Sequence, residues 1–503
     1  MKRLEEVTTS ILNSFAGILL FVVSFAAFYL PYEIRIIPDV ARVLPVVRYV
    51  CAGILVIFFF LLYISTLTVF RENWALWAAL GFVLVLIFST MMQHGDMEGA
   101  LGTYGLAGLF LVLDIAVFFK ANPKQYLLIA FFLLLLINIA NTYTVLEYCV
   151  RQGTGMWEVY GAYRNAFYSL VGNYNGGIEY VMPMAICGSA YAMRYGKWLE
   201  IFNYAAMLMS LYMAIRCESV TQIIAFVAIM GFMVLGDIAM LSDGFAKALK
   251  LVFQPAIFVG LDLAAFIFVV VIDKSNWVQR LGLDPDFHNR RHIWNMAMDW
   301  IKANPVWGSG QETVAAEASK ITGYAHAHCT YLETAYKTGF VGTVFLILML
   351  VAAVVAIYRN RHGRVSYILT ILLFLFGLAC VAEAYPMPYV LLCLGLVYYT
   401  AKHTNETESA KDRVKRVHDR SVEETEEPSW TEPAEPYPQE QRRTAPARAE
   451  TPPPSAYEIQ EDMLEQVGQR VQEVQTADQE EIAENLDNTV HIEETVIQTR
   501  KNS

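Results

Sequence analysis

The chain has 503 residues, of which 56% are hydrophobic and only 17% charged, whereas a soluble globular domain carries about a quarter charged residues. With a mean hydropathy of +0.38, that composition excludes an ordinary soluble enzyme and indicates a polytopic membrane protein. The formal net charge is −11, and the seven cysteines follow no regular spacing, so no disulfide framework is indicated.

A helix needs about 20 mostly apolar residues to cross the hydrocarbon core, because its backbone polar groups must be satisfied within the segment. Such runs lie near 11–30, 45–70, 74–91, 101–119, 126–146, 178–193, 199–215, 220–241, 251–272, 338–358, 366–384 and 386–401. They predict an all-α bundle of about twelve transmembrane helices over residues 1–402. The first run is long and lacks a small-residue cleavage site, so it reads as a span rather than a removable signal peptide.

Short cytoplasmic loops collect Lys and Arg. With Lys2 and Arg3 inside, the turns carrying Arg71, Lys120 and Lys124, Arg194 and Lys197, Lys247 and Lys250, and Arg359, Arg361 and Arg364 all come out cytoplasmic. That register predicts a multi-pass protein of the cell membrane with both termini cytoplasmic. It also places two polar loops outside, one over about 149–178 and a larger one over about 273–338.

Ionisable residues within spans cost about 2.5 to 3.5 kcal/mol at the bilayer centre. Asp262 lies mid-span and is expected to face the bundle interior, paired or protonated. Asp114 and Asp237 sit nearer the inner ends, whereas Glu218, beside Arg216, and Glu383 lie near the outer face. Cys51, Cys187, Cys380 and Cys393 fall in apolar runs, where a cysteine acts as a small hydrophobe.

The large outer loop has three parts. Asn289-Arg290-Arg291-His292-Ile293-Trp294 begins an amphipathic helix whose half-buried face holds Ile293, Trp294, Met296, Ala297, Trp300 and Ile301, and which stops at Asn304-Pro305. Trp307-Gly308-Ser309-Gly310 then supplies a tight turn, with two glycines that permit positive φ and close backbone approach. Tyr324-Ala325-His326-Ala327-His328-Cys329-Thr330-Tyr331 leads into the tenth span.

Beyond residue 402 the composition changes. Residues 403–503 hold 24 acidic against 11 basic side chains, which puts −13 in the tail and leaves +2 for the rest. Its proline-rich, acidic stretch to about 455 cannot bury enough apolar surface to fold and is expected to be a disordered cytoplasmic linker. Ile459, Met463, Val467, Val471 and Val474 then line one face of an amphipathic helix over 456–475, which is either a solvated helix or a docking element for a protein partner. Lys411, Arg413, Lys415 and Arg416 read as topology markers touching anionic membrane lipid rather than nucleic acid.

A cation four residues before Trp, then Pro and Gly-x-Gly, then a histidine followed at a distance by Gly-x-x-Gly, resembles the O-antigen ligase and O-antigen polymerase superfamily of membrane glycosyltransferases. Here those positions are Arg290, Trp294, Pro305, Gly308, Gly310, His328 and Gly339-Phe340-Val341-Gly342. Gly172-Asn173-Tyr174-Asn175 is similar to the family's asparagine-bearing loop. The chain departs from the pattern in having Cys329 after the motif histidine, and Ser219-Val220 where the family often has Ser-Arg; Arg216 is nearby but out of register.

The resemblance implies transfer of a glycan from an undecaprenyl-diphosphate carrier to a hydroxyl of a glycan or lipid acceptor on the outer face, without metal or cofactor. Negative charge grows on the leaving diphosphate, and arginine suits it because its planar fork binds phosphate oxygens in pairs. Arg290 is the first candidate, followed by Arg291 and Arg216. His328 is the candidate base for the acceptor hydroxyl, with His326, Gly308, Gly310, Gly339 and Gly342 in support.

Duller readings stand beside these. Arg290 and Arg291 also suit interfacial anchors, His328 a packing histidine, and Gly308 and Gly310 a mere turn. His326 and His328 with Cys329, His288 and His292 admit a zinc site. The motif does not separate a ligase from a repeat-unit polymerase. A transporter or flippase of lipid-linked glycans is the competing class, for which charges at the membrane midplane and discontinuous helices would be expected. The related peptidoglycan polymerases need an outer-loop acid, and the context of Asp284 and Asp286 does not match theirs.

Overall fold

The computed structural model describes residues 2–35, 37–63, 69–147, 170–171, 176–217, 219–240, 254–271, 290–320, 326–359 and 364–404. The linker and helix expected in the tail, the 172–175 motif, and the positions of Glu218, Asp284, Asp286 and His288 lie outside the described residues.

Every regular element among the described residues is helical. The chain opens with α1 (Lys2–Leu12) and α2 (Phe15–Tyr29), the latter capped by the Ser14 hydroxyl, which accepts the Gly17 N–H. Then come α3 (Pro38–Tyr63), α4 (Trp74–Met92), α5 (Leu106–Ala121) and α6 (Pro123–Thr144). Asn122 caps α6 with Pro123 in its first turn, a placement that wastes no donor, since proline has no N–H where the helix needs none. Next are α7 (Gly177–Tyr195), α8 (Trp198–Arg216), α9 (Val220–Met240) and α10 (Pro255–Val271). The last five are α11 (Arg290–Ala303), α12 (Val314–Lys320), α13 (Thr330–Arg359), α14 (Arg364–Ala382) and α15 (387–404).

Among the described residues the twelve apolar runs fall on helix, and the protein is a multi-pass membrane bundle. Among the described residues seven helices are long and apolar enough to cross a membrane, and an eighth results if α1 and α2, bent by 69°, form one span. Val220–Gly236 and Pro255–Ile267 are apolar but shorter.

Small residues let the helices approach. Gly81 on α4 leaves room for the Phe345 ring of α13, and Gly108 on α5 for Leu391 of α15. Asp114 on α5 is buried and accepts a hydrogen bond from Ser24 of α2 at 2.7 Å. Asp262 is also buried and faces α14, where a β-carbon at Gly377 would collide with its carboxylate. Both acids thus turn away from lipid, as the cost of a charge in hydrocarbon requires.

The feature that positions the segment between α11 and α13 is a break in α13. Gly339 leaves helical geometry at φ 60° and ψ −161°, a region essentially reserved for glycine. The break frees backbone groups, and the segment after α11 takes them. Ser309 and Gly310 donate to the carbonyls of Tyr336 and Lys337 at 2.7 and 2.9 Å, while Phe340 and Val341 donate to Pro305 and Val306 at 2.8 and 3.2 Å. Ser89 of α4 also donates to the Lys337 carbonyl at 3.1 Å, and Gln311 N–H to Thr90 Oγ1 at 2.9 Å. The 305–311 segment is laced into α13 by main-chain hydrogen bonds and into α4 through the Thr90 hydroxyl.

The glycines mark the points of closest approach. A β-carbon at Gly308 would lie 2.5 Å from Gly339 N, one at Gly310 2.7 Å from Thr90 Cα, and one at Gly339 would strike the Val306 carbonyl. Gly339→Ala is therefore expected to cost at least about 3 kcal/mol, from a strained φ/ψ together with a clash. Gly53→Ala, in α3 with open space around it, should be neutral or stabilising by about 0.5 to 1 kcal/mol. Thermal unfolding of the detergent-solubilised protein reads both; equal stability of the two variants would contradict the break's structural role.

Candidate functional site

Helix α11 sets the floor of the site. Ile293, Trp294 and Ala297 are buried on one face, and Trp294 and Ala297 pack with Ala327, Cys329 and Leu332 in a small apolar cluster flanked by Phe266 and Tyr331. That packing clamps the 326–329 segment against α11. It brings Arg290, in the first turn of α11, beside the two histidines.

The centre of the arrangement is Glu383, in the turn between α14 and α15 and only 6% exposed. Its Oε1 lies 2.7 Å from His328 Nδ1, and its Oε2 3.1 Å from an Arg290 Nη. The second Arg290 Nη donates to the Ala382 carbonyl, so the guanidinium is held at two points. Thr330 fixes the turn itself, donating to the Glu383 carbonyl from its N–H at 3.1 Å and from its hydroxyl at 2.8 Å, and accepting the Tyr385 N–H at 3.0 Å.

His328 occupies the left-handed region at φ 48°, a conformation uncommon for a residue with a side chain and often seen at functional sites. It places the two imidazoles together, with ring centroids 4.1 Å apart, and lets the His328 N–H donate to His326 Nδ1 at 3.3 Å. Since carboxylates only accept, His328 presents Nδ1–H to Glu383. Burial, and then the neighbouring His328, lower the pKa of the His326 imidazole below its ordinary value.

A second, buried charge cluster supports the loop from behind. Glu333 accepts the Ala327 N–H at 2.8 Å and pairs with Lys337 at 2.5 Å, while Glu317 of α12 lies 3.4 Å from the same ammonium. Two carboxylates beside one lysine would leave a buried negative charge. Burial and the adjacent Glu333 instead push Glu317 up to about 9, against the pull of Lys337, which favours its protonated form beside the Lys337–Glu333 pair.

Of the residues singled out in the sequence, the structure gathers Arg290, His328 and His326 around one carboxylate. Gly308, Gly310, Gly339 and Gly342 sit at the α13 junction, where the amides of Gly308 and Gly310 are spent on the Asn304 and Lys337 carbonyls, leaving them bound within the fold. Arg291 follows Arg290 on α11 and is half-buried. Arg216 is exposed at the end of α8, which packs on α6, α7 and α9. Glu383 was noted only as an acid near the outer face. Its single signal was an ionisable residue beside a long apolar run, and nothing in the spacing ties it to residues 55 and 93 positions earlier.

One donor atom from each of His326, His328 and Glu383 lies within 4.8 Å of the others. The 2.7 Å separation of His328 Nδ1 and Glu383 Oε1 is a hydrogen-bond distance, shorter than two ligands of one tetrahedral zinc at about 2.0–2.2 Å each can adopt. Of the other residues considered as ligands, His292 is exposed and Cys329 is buried in the apolar cluster, where burial pushes its thiol up to about 11. The geometry is that of a hydrogen-bonded Arg–Glu–His array.

Residues 205–347 match the family model described as O-antigen ligase, a window that contains Arg216, Arg290, His328 and Gly342 and ends before Glu383. The exopolysaccharide production protein ExoQ of Rhizobium meliloti (strain 1021) is 24% identical over 171 residues, which cover 31% of this chain and 38% of that protein. The chain therefore spans well under half the length of that relative. Both comparisons bear out the resemblance to the O-antigen ligase superfamily.

Glu383 makes a pH-dependent contribution to stability. Burial opposes its charge, but the hydrogen bond from His328 and the proximity of His328, Arg290 and His326 outweigh it and hold the carboxyl below its ordinary value. A depressed carboxyl stabilises the fold fully above its unfolded pKa of about 4.3, and that stabilisation fades as pH falls through the lower folded value. Glu383→Gln is expected to lose about 2 to 3 kcal/mol at neutral pH, with the difference from wild type shrinking on acidification. Unfolding measured across acid to neutral pH checks this; a difference that stays constant would refute the ion-pairing role.

Proposed function

We propose that the chain is a membrane glycosyltransferase that moves a glycan from an undecaprenyl-diphosphate carrier to an acceptor hydroxyl on the outer face of the cell membrane. The observation that carries this reading is a single buried carboxylate shared by a guanidinium and an imidazole, which stand close enough for one diphosphate sugar to touch both. The family match supports the reaction class.

The chemistry follows from those positions. The acceptor oxygen bonds to the anomeric carbon as its proton passes to Nε2 of His328. The bond from that carbon to the diphosphate oxygen breaks, and the electron pair leaves on the lipid diphosphate. Arg290 meets the growing negative charge in the transition state. Arg291 on the same helix, and Arg216 on α8, are further cations for the diphosphate. Glu383 stabilises the imidazolium formed at His328 and fixes the tautomer in which Nδ1 carries the hydrogen. No step needs a metal.

The concentration of charged and imidazole groups over residues 290–337, rather than at the midplane, favours an enzyme over a flippase. Repeat-unit polymerisation is a second reading, favoured by the exopolysaccharide production of the Rhizobium relative. Its acceptor would be another carrier-linked glycan rather than a lipid anchor.

His328→Gln is expected to lower transfer by about 100- to 10,000-fold with normal accumulation in the membrane, and a chelator should leave wild-type transfer unchanged. The assay supplies purified protein with a labelled undecaprenyl-diphosphate oligosaccharide and a hydroxyl acceptor. One discrete product marks a ligase and a ladder a polymerase; retained transfer by the variant would eliminate His328 as the base.

A further inference from the structure

On the half of α13 away from His328, α13 and α4 line a groove of about 600 Å³. One stripe of α13, carrying Leu348, Val351 and Val355, forms an apolar wall, and Trp74 and Trp77 of α4 face it. Phe345, whose ring lies against Gly81, marks the end nearer the active site. The other end is polar, lined by Arg359, Lys402 and Glu72.

Charge is unbalanced at that polar end. Glu72 pairs with Lys402 at 3.3 Å and with Lys120 at 3.7 Å, and Arg359 adds a third cation in the same lining. Among the described residues, then, two lysines pair with the one carboxylate and Arg359 stands as a further cation in the lining. The lysine is held in place, because Lys402 Nζ and the Tyr398 hydroxyl both donate to the Glu72 carbonyl at 2.9 Å, and the Lys402 side chain is only 15% exposed. Trp74 is 62% exposed beside this cluster, where an aromatic ring suits the level of lipid headgroups.

We propose that this groove is a binding site for one anionic glycerophospholipid. An acyl chain lies against the α13 stripe, and the phosphate meets Arg359 and Lys402. An apolar slot ending in excess positive charge complements a molecule with one hydrocarbon chain and net negative charge. A zwitterionic lipid brings its own cation to a cluster that already has a surplus. The site is separate from the transfer chemistry, and its occupant wedges the α4–α13 pair whose other end carries the Gly339 break.

The test uses the full chain, purified in detergent, with phosphatidylglycerol, phosphatidylcholine, undecaprenyl phosphate and inorganic phosphate added separately. Native mass spectrometry reads retained lipid, and thermal unfolding reads stabilisation. Phosphatidylglycerol should be retained and should raise the melting temperature, whereas phosphatidylcholine and inorganic phosphate should do neither. Arg359→Gln is expected to weaken phosphatidylglycerol retention by about tenfold, the loss of one charge-assisted contact. Val351→Trp fills the slot without touching the cations and should abolish retention. Equal retention of phosphatidylcholine, stronger retention of undecaprenyl phosphate, or full phosphatidylglycerol binding by both variants would overturn the proposal.

Discussion

A carboxylate that is almost wholly buried keeps its charge only if the fold surrounds it with donors, and Glu383 has them on both oxygens. Arg290 on one side and His328 on the other compensate for its desolvation, and they are oriented in return. Neither side chain would hold its place alone, since an arginine carries much rotamer freedom and an imidazole can present either nitrogen. One buried negative charge therefore fixes two side chains from separate parts of the chain.

The backbone around that charge is arranged to keep it there. The Gly339 break frees carbonyls in α13, the 305–311 segment uses them, and α11 is thereby anchored with Arg290 at its start. Glu333 secures the Ala327 amide, so the left-handed turn at His328 is held from behind. Strain at a residue with a side chain persists only where its surroundings overdetermine it. Here those surroundings are a buried apolar cluster on one side and a pair of carboxylates with a lysine on the other.

Much of this was legible in the residues. The period of Ile293, Trp294 and Ala297 located α11, and Asn304-Pro305 placed its end at Ala303. The apolar runs located the helices, although not which of them are long enough to span. Three features were illegible for physical reasons. Gly339 was visible as part of a Gly-x-x-Gly pattern, but a helix break depends on which distant segment claims the freed carbonyls. The positive φ at His328 has no glycine to announce it. Glu383 resembles any acid at the end of a span until folding brings it to Arg290, and long-range pairing leaves no periodic trace.

The account depends on Glu383 and His328 acting as one unit, and a double-mutant cycle on the transfer rate addresses that directly. Glu383→Gln, His328→Gln and the double variant are compared with wild type, each at matched membrane abundance. If Glu383 works through the imidazole, the double variant is no slower than His328→Gln alone, with a coupling energy of about 1 to 3 kcal/mol. Rate losses that simply multiply would mean that the two side chains act independently and that the shared carboxylate is not the centre of the site.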